Sequence, residues 1–301
     1  KEMSSLLGWG NSIGSGEENS IKRWLAKAGA PVSASRLTLL RANVREQFTE
    51  EALSEVERVS NLPLENIERI SAKVPTFTID AEKTQDYDDA FSVLEWSEGE
   101  LIVAVHITDL SHAIQPEDPL FKEAESRISS VYSPEGTVPM LPDLLSNDTF
   151  SLKAGEDRAV LSFKFQLTGN GDWNLLEVAP KIARVQKNLS YEQADLLIKR
   201  KQDFWDLLNK FCMKAFELRL RKGALNLTRK EFNFDISDPE QICITPLNRN
   251  SPANRIIEEL AIAVNRETGR LFKAADFPGI YRTQASFELI KEVEDGEQLS
   301  L

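Results

Sequence analysis

The sequence predicts an α+β fold, because strand-like and helix-like segments occupy separate parts of the chain. Short runs rich in β-branched and aromatic residues fill residues 76–108 and 158–185, and polar turns join them as in antiparallel hairpins. Segments with apolar residues at helical spacing lie before and after these runs. Of the 301 residues, 41% are hydrophobic. A chain of this size can bury a sizeable core, as one large domain or as one domain with an appendage.

Residues 1–72 are predicted to form a helical lead-in region. The region starts with a stretch rich in Gly, Ser and Asn, which is typical of a loop, and continues with helical periodicity. Ser33, Ser35 and Thr49 are candidate N-caps, since a hydroxyl side chain can accept a hydrogen bond from the first helical turn. Two glutamates follow Thr49, where the helix dipole favours negative charge. No pattern in this region indicates chemistry.

Two hairpins are predicted in the strand-rich part. The runs "AFSVLEW" and "LIVAVHITDL" flank the turn "SEGE", and a second pair of runs flanks a turn at Gly169–Asp172. The run "LIVAVHI" is apolar almost throughout, which is typical of a strand covered on both faces. We therefore expect this strand to lie inside the core.

Helices are predicted at residues 116–132, 203–223 and from residue 251 onwards. Gly223, together with basic residues in the preceding turns, indicates the C-terminus of the second helix. The third helix has Ser251 as its predicted N-cap and proline at its first position, where a missing N–H group leaves no helical bond unmade.

The net charge argues against a protein that coats nucleic acid. The formal value is −12, yet residues 181–230 carry 13 Lys and Arg against 5 Asp and Glu. The default interpretation of this basic stretch is a solvated helix face, and the alternative is a track that guides a polyanion.

Cysteine usage and hydropathy favour a soluble, cytoplasmic protein. Cys212 and Cys243 show no CxxC pairing, so we expect two buried structural thiols in a reducing compartment. No apolar run approaches the ~20 residues that a membrane helix needs. The first residues also lack the pattern of a secretory signal.

Four aspartates, Asp80, Asp86, Asp88 and Asp89, lie within ten residues in the stretch "TIDAEKTQDYDDAFSV". A solvated acidic loop is the simplest interpretation, but the apolar residues on both sides predict that the chain enters and leaves a core here. Partly buried carboxylates that repel one another are costly unless a cation compensates them. Ligands that are all oxygen atoms favour Mg²⁺ or Mn²⁺. The stretch therefore indicates a divalent metal site.

Other metal and phosphate motifs do not fit. A calcium loop of the EF-hand type that began at Asp86 would need glycine at its sixth position, where Phe91 stands. The sequence contains no Walker loop pattern and no HExxH pattern, and no Ser/His/Asp signature stands out. An all-carboxylate magnesium site suits phosphoryl chemistry, since two ions ~4 Å apart can activate a water and stabilise the leaving oxygen of a phosphodiester.

The stretch "TIDAEKTQDYDDAFSV" resembles the signature of the RNB catalytic domain, found in the ribonuclease II and ribonuclease R family of 3′→5′ exoribonucleases. Further blocks match in the family's order, among them "VAVHITDLSHAI", "RKGALNL" and "SPANRIIEELAIAVNRETGRLF". The resemblance covers about residues 73–290. It implies an RNB-type core, in which helices surround a mixed or antiparallel sheet. It also implies Mg²⁺-dependent hydrolysis of single-stranded RNA to 5′-nucleoside monophosphates, with Mn²⁺ as an alternative ion.

The resemblance assigns roles to the four aspartates. Asp80, Asp86 and Asp89 match the family's metal-binding aspartates. Asp88 matches the aspartate most critical for cleavage, which helps to hold a metal ion and the attacking water.

Three further residues match RNA contacts of the family. Tyr132 matches a tyrosine that packs on the 3′-terminal nucleotide, and Tyr191 matches one that grips the RNA near its end. Glu258 matches a glutamate that contacts the terminal sugar. Aromatic faces stack on any base, for ~1–3 kcal/mol each, and a carboxylate can accept a hydrogen bond from a ribose hydroxyl. On residue type alone, each tyrosine would more often be a packing residue.

His106 and Asp109 lie in another matching block, at a spacing that could suggest metal ligation. We favour a hydrogen-bonded structural pair and leave both residues out of the site.

The sequence departs from the family pattern in three places. Leu227 stands where an aromatic residue can stack on RNA, and Gln284 stands where many relatives have histidine. The block that carries a catalytic arginine is not present before Leu301. We therefore expect residues 73–301 to be the N-terminal portion of an RNB catalytic domain, slow or inactive by itself. The alternatives are a non-catalytic RNA-binding or scaffolding relative and a metal-dependent phosphodiesterase that acts on small substrates.

Overall fold

A computed structural model of the chain describes residues 39, 42–133, 136–226, 231–235, 243–247 and 249–281. The described residues include the five helices α1 (Glu50–Ser60), α2 (Pro119–Arg127), α3 (Tyr191–Lys199), α4 (Trp205–Arg221) and α5 (Pro252–Ala274). A π-helical turn covers Leu145–Thr149. The strands are β1 (Glu68–Arg69), β2 (Thr76–Asp80), β3 (Asp89–Trp96), β4 (Glu100–Thr108), β5 (Val131–Ser133), β6 (Gly136–Val138), β7 (Asp157–Thr168), β8 (Trp173–Arg184), β9 (Lys187–Ser190), β10 (Glu231–Asp235) and β11 (Cys243–Leu247). The predicted α+β class is confirmed.

Seven strands form one mixed sheet in the order β1-β8-β7-β4-β3-β2-β9. Neighbouring strands inside the sheet are antiparallel, whereas the two edge strands, β1 and β9, pair in parallel with β8 and β2. Both predicted hairpins are confirmed, the first as β3 and β4 and the second as β7 and β8. β4 is the middle strand and is buried along most of its length, as its apolar sequence predicts.

The turn between β7 and β8 packs closely against α4. Gly171 in this turn has φ +91°, and a Cβ atom at this position would lie 2.6 Å from the backbone oxygen of Lys214. Only glycine fits both the left-handed backbone and the short distance.

Helices α3, α4 and α5 cover one face of the sheet and form the main hydrophobic core with it. Near β2, the rings of Phe77, Phe91, Phe204 and Trp205 pack together, with centroid distances from 5.1 to 6.1 Å. These aromatic contacts fix β2 and β3 against the start of α4, next to the loop that connects the two strands.

The opposite face of the sheet carries a ladder of buried polar side chains. The hydroxyls of Thr76 and Ser92 lie 2.7 Å apart, and the Ser92 hydroxyl lies 2.8 Å from Nε2 of His106. Nδ1 of His106 lies 3.0 Å from the hydroxyl of Ser162. Burial lowers the pKa of His106 to about 3, so the ring is neutral and can donate from one nitrogen and accept at the other. The ladder satisfies polar groups across four strands.

The predicted pairing of His106 with Asp109 is wrong. Asp109 instead accepts hydrogen bonds from the backbone N–H and the hydroxyl of Ser111, at 2.9 and 2.6 Å. β4 ends at Thr108, so Asp109 lies beyond the strand, whereas His106 points into the sheet interior. His106 is nevertheless a structural residue, as expected.

The lead-in region packs against the main sheet and against α2. Thr49 is the N-cap of α1, as predicted, and its hydroxyl accepts a hydrogen bond from the N–H of Ala52 at 3.3 Å. Apolar residues of α1 pack with α2 and the π-helical turn in a second hydrophobic cluster. β1 lies inside the predicted lead-in and adds a strand to the sheet. The candidate caps Ser33 and Ser35 lie outside the described residues.

Two local predictions need correction. The helix predicted at residues 116–132 is shorter, because α2 ends at Arg127 and Val131–Ser133 pairs with β6 as a strand. Cys212 is buried, as predicted, but Cys243 is exposed. Cys243 lies in β11, which pairs with β10 in a separate two-stranded sheet with an exposed surface, so no core covers it.

None of the helices in the described ranges is long and apolar enough to cross a membrane.

Candidate active site

The four aspartates lie at one end of the β2–β3 pair. Asp80 is the last residue of β2, and Asp89 is the first residue of β3. Because these strands are antiparallel neighbours, the two residues lie at the same end of the strand pair. Asp86 and Asp88 lie in the loop that connects the two strands. Apolar residues on both sides of the loop, such as Ile79 and Phe91, are buried as predicted.

Backbone and hydroxyl contacts hold the connecting loop from the side of residues 151–152. The hydroxyl of Ser151 donates to the carbonyl of Gln85 at 2.7 Å and accepts from the N–H of Tyr87 at 3.1 Å. The N–H of Leu152 donates to the carbonyl of Tyr87 at 2.9 Å. On the other side, the N–H of Thr108 in β4 donates to the carbonyl of Asp88 at 2.9 Å. The aspartates are therefore presented by a fixed loop.

Burial raises the pKa values of all four carboxyls, and the charges of neighbouring aspartates add to the rise at three of them. Burial, followed by the charge of Asp89, raises the pKa of Asp80 to about 7, although a hydrogen bond from Thr78 opposes the rise. Burial and the charge of Asp88 raise the pKa of Asp86 to about 6.

The other two carboxyls shift in the same direction. Burial raises the pKa of Asp88, and the charge of Asp89 adds to the rise, whereas a hydrogen bond with Asp86 opposes it. Burial alone raises the pKa of Asp89. Taken as whole residues, Asp88 is exposed, whereas Asp80, Asp86 and Asp89 are half-buried.

The donor set suits a divalent cation that prefers oxygen ligands. Oδ2 of Asp80 is buried and has no hydrogen-bond partner, which leaves a polar atom of the site unsatisfied. Within the described ranges, however, no three Asp, Glu, His or Cys side chains are arranged to hold one ion. Carboxylates that repel one another without a cation turn apart, and the unpartnered Oδ2 of Asp80 remains as a candidate ligand atom.

Tyr191 lies beside the aspartates. It is the first residue of α3, and the N-cap of this helix, Ser190, lies directly opposite Asp80 in the β2–β9 register. Burial, and then the charge of Asp80, raises the pKa of Tyr191, with a smaller effect from Asp89. The half-buried ring also packs against the main core. The structure thus brings Tyr191 together with two of the aspartates.

Glu258 and Tyr132 lie on other elements. Glu258 is exposed on the first turns of α5, where its carboxylate accepts hydrogen bonds from Arg255 at 2.7 Å and from Arg219 at 3.2 Å. Tyr132 is 71% exposed in the small sheet of β5 and β6. In the part of the chain that the structure describes, neither residue makes a hydrogen bond or ion pair with the four aspartates.

The basic stretch at residues 181–230 is distributed over several elements, from β8 to α4 and beyond. Many of its charges have acidic partners: Lys181 pairs with Glu68, and Arg219 pairs with the buried Glu259 at 2.6 Å. These pairs favour the interpretation as solvated surface charges over that of a continuous positive track for a polyanion. Leu227 and Gln284 lie outside the described residues.

Sequence reasoning missed Ser151 and Asn188, which hold the segments around the aspartates. Ser151 contacts the loop across a sequence separation of more than 60 residues. Asn188 lies opposite Thr78 in the parallel β2–β9 pair. Neither residue belongs to a local motif, and no short-range pattern predicted β9, so the sequence carried no signal for either contact.

Comparisons with known proteins give the family and the fold. The sequence model of the RNB domain matches residues 69–297. Ribonuclease R of Thermotoga maritima is 31% identical over 215 residues, which cover 68% of this chain and 30% of that protein. The structure of Mycoplasma genitalium RNase R in complex with ribose methylated single-stranded RNA matches with a TM-score of 0.72 at 19% identity, covering 80% of this chain and 39% of that chain.

A further structure, of yeast Ssd1, a pseudonuclease, matches with a TM-score of 0.55 at 18% identity, covering 76% of this chain and 28% of that chain. At these identities the structures share the fold. The chain spans about 30% of the length of the curated relatives that it matches. The RNB-type core predicted from the sequence is confirmed, and the match over residues 69–297 covers well over half of the sequence. The chain belongs to the RNB domain family.

Proposed function

We propose that the protein is a 3′→5′ exoribonuclease that hydrolyses single-stranded RNA to 5′-nucleoside monophosphates and depends on Mg²⁺, with Mn²⁺ as a substitute. The observation that carries the proposal is the placement of Asp80, Asp86, Asp88 and Asp89 in and beside one fixed loop, where a cation would relieve the cost of burial and repulsion. Membership of the RNB domain family supports it. The Thermotoga relative is named ribonuclease R, and the Mycoplasma structure contains single-stranded RNA.

Asp80, Asp86 and Asp89 would hold the ion, and the unpartnered Oδ2 of Asp80 is a ready ligand atom. When bound, divalent ions supply an activated water and stabilise the negative charge on the leaving oxygen. Asp88 would orient the attacking water, since it lies at an exposed position of the chain between Asp86 and Asp89.

Tyr191 would hold the RNA next to the aspartates, because its ring is anchored by the core while its hydroxyl end lies near Asp80. Tyr132 offers an exposed aromatic face on which a base can stack. Glu258 would accept from a ribose hydroxyl, with Arg219 and Arg255 holding its carboxylate in place.

The experiment that tests this proposal uses the whole protein, since residues 73–301 alone are expected to be slow or inactive, and it follows single-stranded RNA labelled at its 5′ end. With Mg²⁺, the labelled product should shorten step by step from the 3′ end, and the released products should be 5′-nucleoside monophosphates; with EDTA, no shortening should occur. Bound RNA without nucleotide release would favour a non-catalytic RNA-binding relative, an alternative that the likeness to the yeast pseudonuclease fold keeps in view. Cleavage of small phosphodiesters at a rate independent of RNA length would favour the third alternative.

A further inference from the structure

We propose that Asn188 is a positioning residue that fixes both sides of the aspartate loop, through Thr78 and through Leu152; this inference rests on the proposed function. One N–H of the Asn188 amide donates to Oγ1 of Thr78 at 3.0 Å, and the other donates to the carbonyl of Leu152 at 2.9 Å. Its Oδ1 accepts from the N–H of Ala154 at 2.8 Å. All of the amide's donors are used, and the Ala154 contact fixes its orientation, because a backbone N–H can only donate.

The first contact reaches Asp80. Thr78 and Asn188 are direct partners in the β2–β9 register, and Thr78 lies two residues before Asp80, on the same face of the strand. Thr78 is completely buried, and its hydroxyl lowers the pKa of the Asp80 carboxyl against the effect of burial. Because Asn188 donates to the Thr78 oxygen, the single hydroxyl proton of Thr78 is left to point toward Asp80. Asn188 thereby fixes the rotamer of the Thr78 side chain beside Asp80.

The second contact reaches the other end of the loop. Leu152, whose carbonyl accepts from Asn188, donates its own N–H to the carbonyl of Tyr87 at 2.9 Å. The neighbouring Ser151 holds Tyr87 and Gln85. One amide side chain therefore joins the strand that ends in Asp80 to the segment that holds residues 85–88. Because ligand carboxylates must be placed within a fraction of an ångström for catalysis, loss of this amide should affect turnover more than RNA binding.

A double-mutant cycle tests this inference in the whole protein with RNA and Mg²⁺, at a temperature well below the melting point of each variant. Asn188→Leu removes both donors, Thr78→Val removes the hydroxyl at nearly constant shape, and Thr78→Ser retains it. We expect Asn188→Leu and Thr78→Val each to lower kcat about tenfold and to leave the KM for RNA within about twofold. Thr78→Ser should stay within about twofold of the wild-type kcat.

The double variant should be no slower than Asn188→Leu, since both changes act on one chain of hydrogen bonds. Asn174→Leu is the matched control, because Asn174 is exposed on β8 and contacts only Gln166 among the pairs described. An unchanged kcat in Asn188→Leu, or losses that multiply in the double variant, would overturn the inference. If Asn188→Leu does not fold, Asn188→Ser replaces it, because a serine side chain is too short to reach both partners.

Amide hydrogen exchange separates this inference from the proposed function. If the wild type releases no nucleotide, the proposed function fails, but exchange still decides the role of Asn188. The amides of Tyr87 and Leu152 should exchange about tenfold faster in Asn188→Leu than in the wild type or in Asn174→Leu. Equal exchange in all three proteins would mean that Asn188 does not hold the loop.

Discussion

The substitution Asp88→Asn should lower the rate of RNA hydrolysis at least about 1000-fold and leave the Kd for single-stranded RNA within about threefold. Asparagine has nearly the same size but lacks the negative charge that is proposed to orient the attacking water and to help hold a cation. Asp88 is an exposed residue, so the change should disturb packing little. Single-turnover rates with 5′-labelled RNA, measured beside filter binding, separate the two effects.

Asp143→Asn is the matched control for this substitution. Asp143 is exposed in the helical segment directly before the π-helical turn, and its carboxylate accepts a hydrogen bond from Asn147 at 3.4 Å. The control removes the same charge from the protein at a site with no proposed role, so its rate should equal that of the wild type. Hydrolysis by Asp88→Asn at the wild-type rate would remove Asp88 from the proposed chemistry.

The substitution Asp80→Asn should stabilise the metal-free protein at pH 8 by about 2 kcal/mol, after allowance for the partial exposure of the site. Burial, followed by the charge of Asp89, raises the pKa of Asp80 to about 7 in the folded state, above its usual value near 3.8. Between these two pH values the folded protein binds more protons than the unfolded chain, so the wild type loses stability as the pH rises. Asparagine does not titrate, and the variant avoids this loss.

Urea unfolding at pH 5 and pH 8, in EDTA, measures the effect. The advantage of Asp80→Asn should be larger at pH 8 than at pH 5. His106 has the opposite pH dependence: burial lowers its pKa to about 3, so its contribution to stability is lost as the pH falls below about 6.5. This contribution is the same in both proteins and cancels in their difference. If the stability difference between the two proteins is equal at the two pH values, the pKa of Asp80 is not raised by folding.

The elements of the fold that local patterns specify were predicted well. The turn residues and the β-branched runs predicted both hairpins, and the hydroxyl and proline at residues 251–252 predicted the start of α5. The edge strands β1 and β9 were not predicted. Each is short and pairs in parallel with a strand distant in sequence, so its position depends on the assembled sheet and not on its own residues.

For the candidate site, too, local patterns predicted some residues, whereas others depend on the pairing of distant strands. The four aspartates were found from one contiguous stretch, because charge repulsion between apolar flanks is visible in the sequence itself. The surroundings of Tyr191 could not be predicted in this way, because Tyr191 lies close to Asp80 only through the β2–β9 register. The partners of His106 were mispredicted for the same reason: Ser92 and Ser162 lie on neighbouring strands, and only the register places them beside the ring.

Binding of divalent ions by the aspartate loop can be observed by anomalous diffraction from crystals of the protein grown with Mn²⁺ and an RNA strand. We expect at least one manganese peak with carboxylate oxygens of Asp80 and of its loop neighbours at about 2.1 Å. We also expect the 3′ end of the RNA to lie beside Tyr191. If manganese binds elsewhere, or if RNA binds with no manganese peak at the aspartates, the loop is not the metal site.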